Sequence, residues 1–273
     1  MSAAPLSSPP IAGSATVLIS LGSFGAHEVR RHGQRWFIEL SHAAGADGVE
    51  VRGELLSGAA GELNEIAATV ERLRLQCVYS SPEGLWTPEG ALDTAALDRA
   101  LDAAAVLCAP RLKMSIGGFR PAASSASFAA LAIRLAVADR ELVIENDQTE
   151  SAGTVPALQA FFAAAREHGL PLGMTFDMGN WHYLGECPLQ AAQALAEGVR
   201  YVHCKGVQRE PRRWIAVPLA DSAAPWRSVL RALPAGQPWA IEYPLAGEDL
   251  LAVTRREIDF LRALANTHTK PHP

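Results

Sequence analysis

The sequence has few of the features that would tie its 273 residues to a particular surface or partner. Cysteine is scarce: Cys77, Cys108, Cys187 and Cys204 are scattered, with no CxxC pair. That excludes a disulfide framework or a thiolate zinc site and points to free thiols in a reducing cytoplasm. Basic residues are outnumbered, 24 against 29 acidic ones, for a net charge of −5. A nucleic-acid binder usually carries a basic face instead, so no nucleic-acid partner is expected. No apolar run approaches the roughly 20 residues needed to span a bilayer, so no membrane partner is expected either. The opening residues are rich in Ala, Ser and Pro but lack the basic start and apolar stretch of a signal peptide. No GxGxxG follows the first apolar run, which removes the dinucleotide-binding fingerprint.

What is present is a hydrophobic fraction of 49%, enough for a large core, arranged as short apolar runs alternating with helical periodicity. Residues 16–21 read as a β-branched strand closed by Gly22. Strands follow at 48–51, 75–79, 111–116, 142–146, 172–176, 200–204 and 238–242. Helices are predicted at 35–44, 62–73, 93–108, 128–137, 155–167, 189–197, 225–233 and 249–264. Residues 80–90 (SSPEGLWTPEG) and 206–219 read as loops. Eight βα units in about 250 residues imply a parallel sheet closed into a single (β/α)8 TIM barrel. The barrel is expected over residues 15–265, with a flexible tail at 1–14 and a disordered tail at 266–273.

In such a barrel the chemistry lies at the C-terminal ends of the strands. Four consecutive predicted strands end on groups able to bind metal: Glu145, Asp177, His203 and Glu242. Their spacings of 32, 26 and 39 residues are each about one βα unit, so the four ligands fall on one arc of the rim. Three buried carboxylates repel one another unless a cation sits among them. Three carboxylates and an imidazole suit one divalent ion. Manganese is the first expectation, and Mg2+, Co2+ and Zn2+ are compatible with the same ligands. Capping or salt-bridge roles are the competing explanation for any one of the four taken alone.

Six segments make the pattern more specific: GADGVEVR (45–52), VIEN (143–146), FDMGNW (176–181), YVHCKG (201–206), the VPL…W…VL stretch (217–230) and AIEYPL (240–245). They resemble the xylose isomerase-like barrel superfamily in its sugar (phosphate) isomerase/epimerase branch, over about residues 15–265. The resemblance implies a metal held by Glu145, Asp177, His203 and Glu242, with Glu145 and Glu242 also serving as the acid/base pair. It places a substrate-binding arginine at Arg209, six residues after His203, and makes a homo-oligomer an expectation. The sequence departs from the family at three places. Gly206 stands where an Asp usually follows the lysine, Ala220-Asp221-Ser222 replaces a Gly-rich turn, and Asn180 occupies a frequent histidine position, with His182 two residues on.

The expected reaction is proton abstraction next to a carbonyl through a metal-stabilised enediolate, with Glu145 and Glu242 catalytic. That is an isomerase or epimerase of a sugar or polyol-derived ketone, a small-molecule substrate. A dehydratase (lyase) of a keto-polyol or a dehydroshikimate-like acid uses the same groups. A damaged-DNA endonuclease would need further His and Glu ligands and a positive groove; a non-catalytic binding protein would not need the ligand set. Further substrate-binding candidates are His182, Lys205, Lys113, Glu50, Trp181 and Trp214. Each has a plainer reading: Glu50 pairs with Arg52 or another barrel charge, Lys113 snorkels to the surface, Lys205 balances the acidic site. Trp86, Trp181 and Trp214 form an aromatic wall or plug the core. Arg209, Arg212 and Arg213 bind an anion or stay solvated.

Overall fold

A computed structural model describes residues 16–121 and 125–268. The expected tail at 1–14 and residues 269–273 lie outside the described residues. The chain runs β1 (Val17–Ser20), α1 (Ala26–His32), α2 (Gln34–Ala44), β2 (Gly48–Arg52), α3 (Glu62–Leu73), β3 (Gln76–Trp86), α4 (Thr94–Val106) and β4 (Arg111–Gly117). It continues through α5 (Ser125–Ala138), β5 (Glu141–Glu145), α6 (Val155–Glu167), β6 (Gly173–Asp177), α7 (Pro188–Leu195) and β7 (Val199–Cys204). A hairpin, β8 (Gly206–Arg209) and β9 (Trp214–Val217), precedes α8 (Trp226–Ala232), β10 (Trp239–Ile241) and α9 (Leu250–His268). Eight of the strands close a parallel barrel in the order β1-β10-β7-β6-β5-β4-β3-β2, the (β/α)8 architecture.

The two-residue period of a strand sorts the side chains into two populations. Ile19, Val49, Val51, Leu112, Met114, Ile144, Met174, Phe176, Val202 and Ile241 belong to the large cluster that the helices cover. The alternate phase turns into the barrel. Its lower layer is a separate small plug of Leu18, Val78, Tyr201 and Ala240. Two residues further along the same strands come Ser20, Ser80, His203 and Glu242, and the upper interior is polar. Asp93 and Thr154 cap α4 and α6 by accepting from Ala96 N–H and Ala157 N–H, fixing where those helices leave their strands.

Three places differ from the pattern read in the sequence. Strand β3 continues through Ser81–Trp86, which the prolines and glycines mark as loop. It does so by shifting its register against β4 between Ser80 and Gly84. Gly84 is required there, because a Cβ would lie 2.8 Å from Gly117 Cα. Residues 206–217, read as a loop, contain the antiparallel β8–β9 hairpin, with Gly206 opposite Val217. Helix α1, bracketed by Gly25 and Gly33 at positive φ, has no counterpart in the sequence reading. The thiols of all four cysteines are free, Cys77 and Cys204 being buried. Among the described residues no helix is long and apolar enough to cross a membrane.

Candidate metal centre

The polar ends of β5, β6, β7 and β10 converge. One ligand atom from each of Glu145, Asp177, His203 and Glu242 can be chosen so that all lie within 4.8 Å of one another. Donors bound at about 2.1–2.3 Å to one divalent ion sit roughly 3–4.5 Å apart, so the spacing suits a single cation.

The hydrogen bonds around the four groups sharpen that fit. His203 Nε2 lies 2.8 Å from Glu50 Oε2. A carboxylate can only accept, so Nε2 carries the proton and directs the Nδ1 lone pair at the cluster when the ring is neutral. Nδ1 is 2.8 Å from Glu242 Oε2 and 2.8 Å from Glu145 Oε1, with Asp177 Oδ2 at 3.9 Å. One nitrogen can hold at most one proton, so it cannot satisfy both nearer carboxylates. Glu145 Oε1 is in fact buried with no hydrogen-bond donor. An acceptor left in that condition costs about 1–3 kcal/mol unless a cation meets it. The donor set therefore fits a divalent metal.

Each carboxylate is held by its other oxygen. Glu145 Oε2 accepts from Lys113 Nζ at 2.7 Å, and Glu242 Oε1 accepts from Arg52 Nη1 at 2.7 Å. Asp177 is fixed by backbone: its Oδ1 accepts from Gly179 N–H at 2.7 Å and Asn180 N–H at 2.9 Å. Asn146 braces the same turn, accepting from Asp177 N–H and donating to its carbonyl. Asp177 Oδ2 is left facing the cluster, 2.6 Å from Lys205 Nζ. Gly179 makes room for that lysine, since a Cβ there would meet its Cδ at 2.6 Å.

Electrostatics follow the same division. Burial pushes the Glu242 and Glu145 carboxyls up, but the cationic neighbours, His203 and Lys205 for the one and Lys113 and His203 for the other, outweigh it, and both titrate below the ordinary range. Glu50 is likewise held low against burial by His203 and Lys113. Asp177 goes the other way: burial, opposed by Lys205 but reinforced by Glu242, lifts it to about 7. Burial disfavours the His203 imidazolium, yet Glu242 and Glu50 raise its pKa well above the usual value. Without a metal, then, protons occupy part of the cation's place.

The remaining candidates separate by location. Glu50 and Lys113 are wholly buried inside the barrel. Lys113 Nζ bridges Glu50 (3.1 Å) and Glu145 (2.7 Å), while Glu50 also meets Arg52 (3.0 Å), so neither reaches solvent. Lys205 lies at the rim between Asp177 and Glu242. Trp181 and Trp86 are core residues rather than walls: Trp181 packs on Phe176, and Trp86 sits among Phe119, Phe128 and Phe161. Trp214 stays at the rim, with His182 4.9 Å from its ring centroid and the Arg209 guanidinium 5.4 Å away. Arg213 pairs with Glu210. Arg52 is the residue that sequence reasoning passed over as a site group. It touches Glu50, Glu54 and Glu242 together, and its signal is phase, because it follows Glu50 by two residues on β2. The segment after β1 was passed over as well: with Arg52, Lys205 and Glu242 it lines a cavity of about 370 Å3 at the mouth.

Comparisons agree with this architecture. The xylose isomerase-like TIM barrel/4-hydroxyphenylpyruvate dioxygenase fusion protein is similar in structure, with a TM-score of 0.68 at 15% identity, over 90% of this chain and 42% of that one. This chain thus spans less than half of that fusion's length. A probable 3-DHS dehydratase from Bacillus anthracis has a TM-score of 0.63 at 14% identity, over 90% of this chain and 98% of its own. An L-ribulose 3-epimerase has 0.66 at 14%, over 95% and 99%. At these identities the likeness shows the fold. No curated protein matches the chain by sequence. The family model described as "Xylose isomerase-like TIM barrel" matches residues 38–264, a span that includes all four converging side chains. With most of its length inside that match and its strands closed in that barrel, the chain belongs to the xylose isomerase-like TIM barrel family.

Proposed function

We propose that this chain is a divalent-metal-dependent isomerase or epimerase that moves a proton at the carbon next to a carbonyl in a sugar or polyol-derived ketone. The observation that carries the reading is the convergence of Glu145 Oε1, which has no hydrogen-bond donor, and Glu242 Oε2 on His203 Nδ1, 2.8 Å from each. Glu145, Asp177, His203 and Glu242 would hold the ion, which as a Lewis acid polarises the carbonyl and makes the adjacent C–H acidic.

The protein's own groups do the rest. Glu145 and Glu242 stand on strands separated by β6 and β7, so they face a substrate from two sides. One takes the proton and the other returns one. Both are held ionised, which makes each a weak base that is always in the right form. Lys113 and Arg52 anchor their outer oxygens, so each works with the inner one. Asp177, gripped by two backbone N–H groups, positions rather than transfers. His182, Trp214 and Arg209 form the rim against which the rest of the substrate would rest.

One observation favours a dehydratase as second reading. Lys205 Nζ lies 2.9 Å from Glu242 Oε2, so an ammonium stands beside the base, placed to donate a hydrogen bond to a departing hydroxyl. The deciding experiment loads the protein with Mn2+ and incubates keto-sugars and keto-acids in D2O with mass detection. Isomerisation or epimerisation gains deuterium without loss of mass. Dehydration loses water. No exchange and no water loss across the panel would overturn the proton-transfer proposal.

A further inference from the structure

The charges lining the mouth cavity are matched with one exception. Arg52 is met by Glu50, Glu54 and Glu242, and Lys205 by Asp177 and Glu242. Arg30, on α1, shares the same cavity. Its guanidinium donates only to the Glu54 carbonyl oxygen, at 3.5 Å, and among the described residues no carboxylate pairs with it. The acid nearest to it in sequence, Glu28, is turned to His27 and His32 at 3.8 and 3.6 Å.

Formal charge gives a second line. With His203 neutral, as a metal ligand must be, Glu50, Glu54, Glu145, Asp177 and Glu242 around the mouth face Arg52, Lys113 and Lys205, an excess of two negative charges. A divalent ion cancels that excess, and Arg30, together with Arg209 at the rim, then leaves the loaded mouth positive. Arg30 is exposed at the edge of that concave site, where a neutral sugar would leave only water to meet its charge. A monoanion matches it, and a planar carboxylate suits the fork of a guanidinium.

We infer that the substrate is a hydroxy-ketone bearing a carboxylate, and that Arg30 holds this carboxylate at the end of the cavity away from the reacting carbon. The inference rests on the metal-dependent proton-transfer reading and selects among its substrates: an acid rather than a neutral ketose. Arg30 is here a specificity determinant that binds substrate and takes no part in moving the proton.

The test is calorimetric titration of the Mn2+-loaded full chain with two probes: a keto-uronic acid, and the neutral ketohexose that differs from it only in carrying CH2OH for the carboxylate. The acid is expected to bind at least about tenfold more tightly, the size of a charge-assisted hydrogen bond. In Arg30→Gln the ratio of the two affinities is expected to fall to about one, with Arg30→Lys restoring part of it. Mn2+ stoichiometry and circular dichroism report that the variants are folded. Equal affinities, a preference that survives Arg30→Gln, or binding of neither probe would overturn the inference. Deuterium exchange of the acid, run in parallel, separates the two proposals. Arg30-dependent binding without exchange upholds the carboxylate site and sinks the reaction. Exchange on both probes, indifferent to Arg30, does the reverse.

Discussion

The mouth of the barrel is divided between two arcs of unlike chemistry. On β5, β6, β7 and β10 stand the groups with lone pairs: Glu145, Asp177, His203 and Glu242. On β2 and β4 stand Glu50, Arg52 and Lys113, which take up the outward-facing oxygens and the ring N–H of the first set. The first arc can bind an ion; the second fixes where its oxygens and its one nitrogen point. Their dependence is unequal: the ligand arc loses function when broken, and the supporting arc loses orientation or stability.

The largest expected effect comes from the ligand arc. Glu145→Gln and Glu242→Gln should each lower turnover by about 10^3-fold or more, because each removes a proton carrier and a metal donor together. Circular dichroism and thermal melting should show a folded barrel in both. An active Glu242→Gln enzyme would defeat its assignment.

Next is Lys113. Replacing it with Met strips the counter-ion from two buried carboxylates at once. A loss of about 3–5 kcal/mol in denaturant unfolding is expected for breaking a buried pair from one side. The double change with Glu50→Gln should recover part of that loss. If Lys113→Met alone is neutral, the supporting arc does not hold the ligand arc.

Glu50→Gln tests orientation. The amide can present its NH2 rather than an acceptor to His203 Nε2, so the imidazole loses its strongest guide. Metal affinity should fall about 10–100-fold, with residual activity rising again at saturating metal. An unchanged dissociation constant would reduce Glu50 to a space-filling charge.

The smallest effect is one of pH. Asp177 in the metal-free protein titrates near 7, above its value in an unfolded chain. The raised value means the protonated form is favoured in the fold. Its contribution to metal-free stability is present at low pH and is lost as pH rises through about 7. Metal takes the ionised Asp177 and the neutral His203, so affinity should climb with pH through about 7 as Asp177 ionises and keep climbing above it while His203 gives up its proton, by up to tenfold per unit for each proton displaced. Melting temperatures of metal-free and metal-loaded protein across pH 5–8 should therefore diverge. Parallel curves would contradict the sign.

The two arcs also differ in how far a sequence discloses them. Glu145, Asp177, His203 and Glu242 each end an apolar run, and in a parallel barrel that position alone places a residue at the mouth. Glu50 and Lys113 lie inside their strands and Arg52 is the last residue of β2; parallel strands are buried on both faces, and burial does not tell inward from outward. Phase does: counted in twos from Glu145, His203 and Glu242 in their own strands, these three match the inward set, and with that they stop reading as surface charges. Trp181 reads as a rim aromatic because it follows Asp177 by four residues. The tight turn after Asp177 rolls it under, against Phe176. The extension of β3 is hidden by Pro82 and Gly84, residues that usually stop strands. Here the glycine is what lets β3 pass Gly117.

The most direct test of the central claim is a Mn2+ titration of metal-free protein followed by paramagnetic resonance, with His203→Ala and Asp177→Asn beside it. One ion per chain, weakened by at least about tenfold in each variant, is the result expected of a single centre built by all four side chains. No tight binding in the parent protein, or one ion bound equally well by both variants, would contradict it.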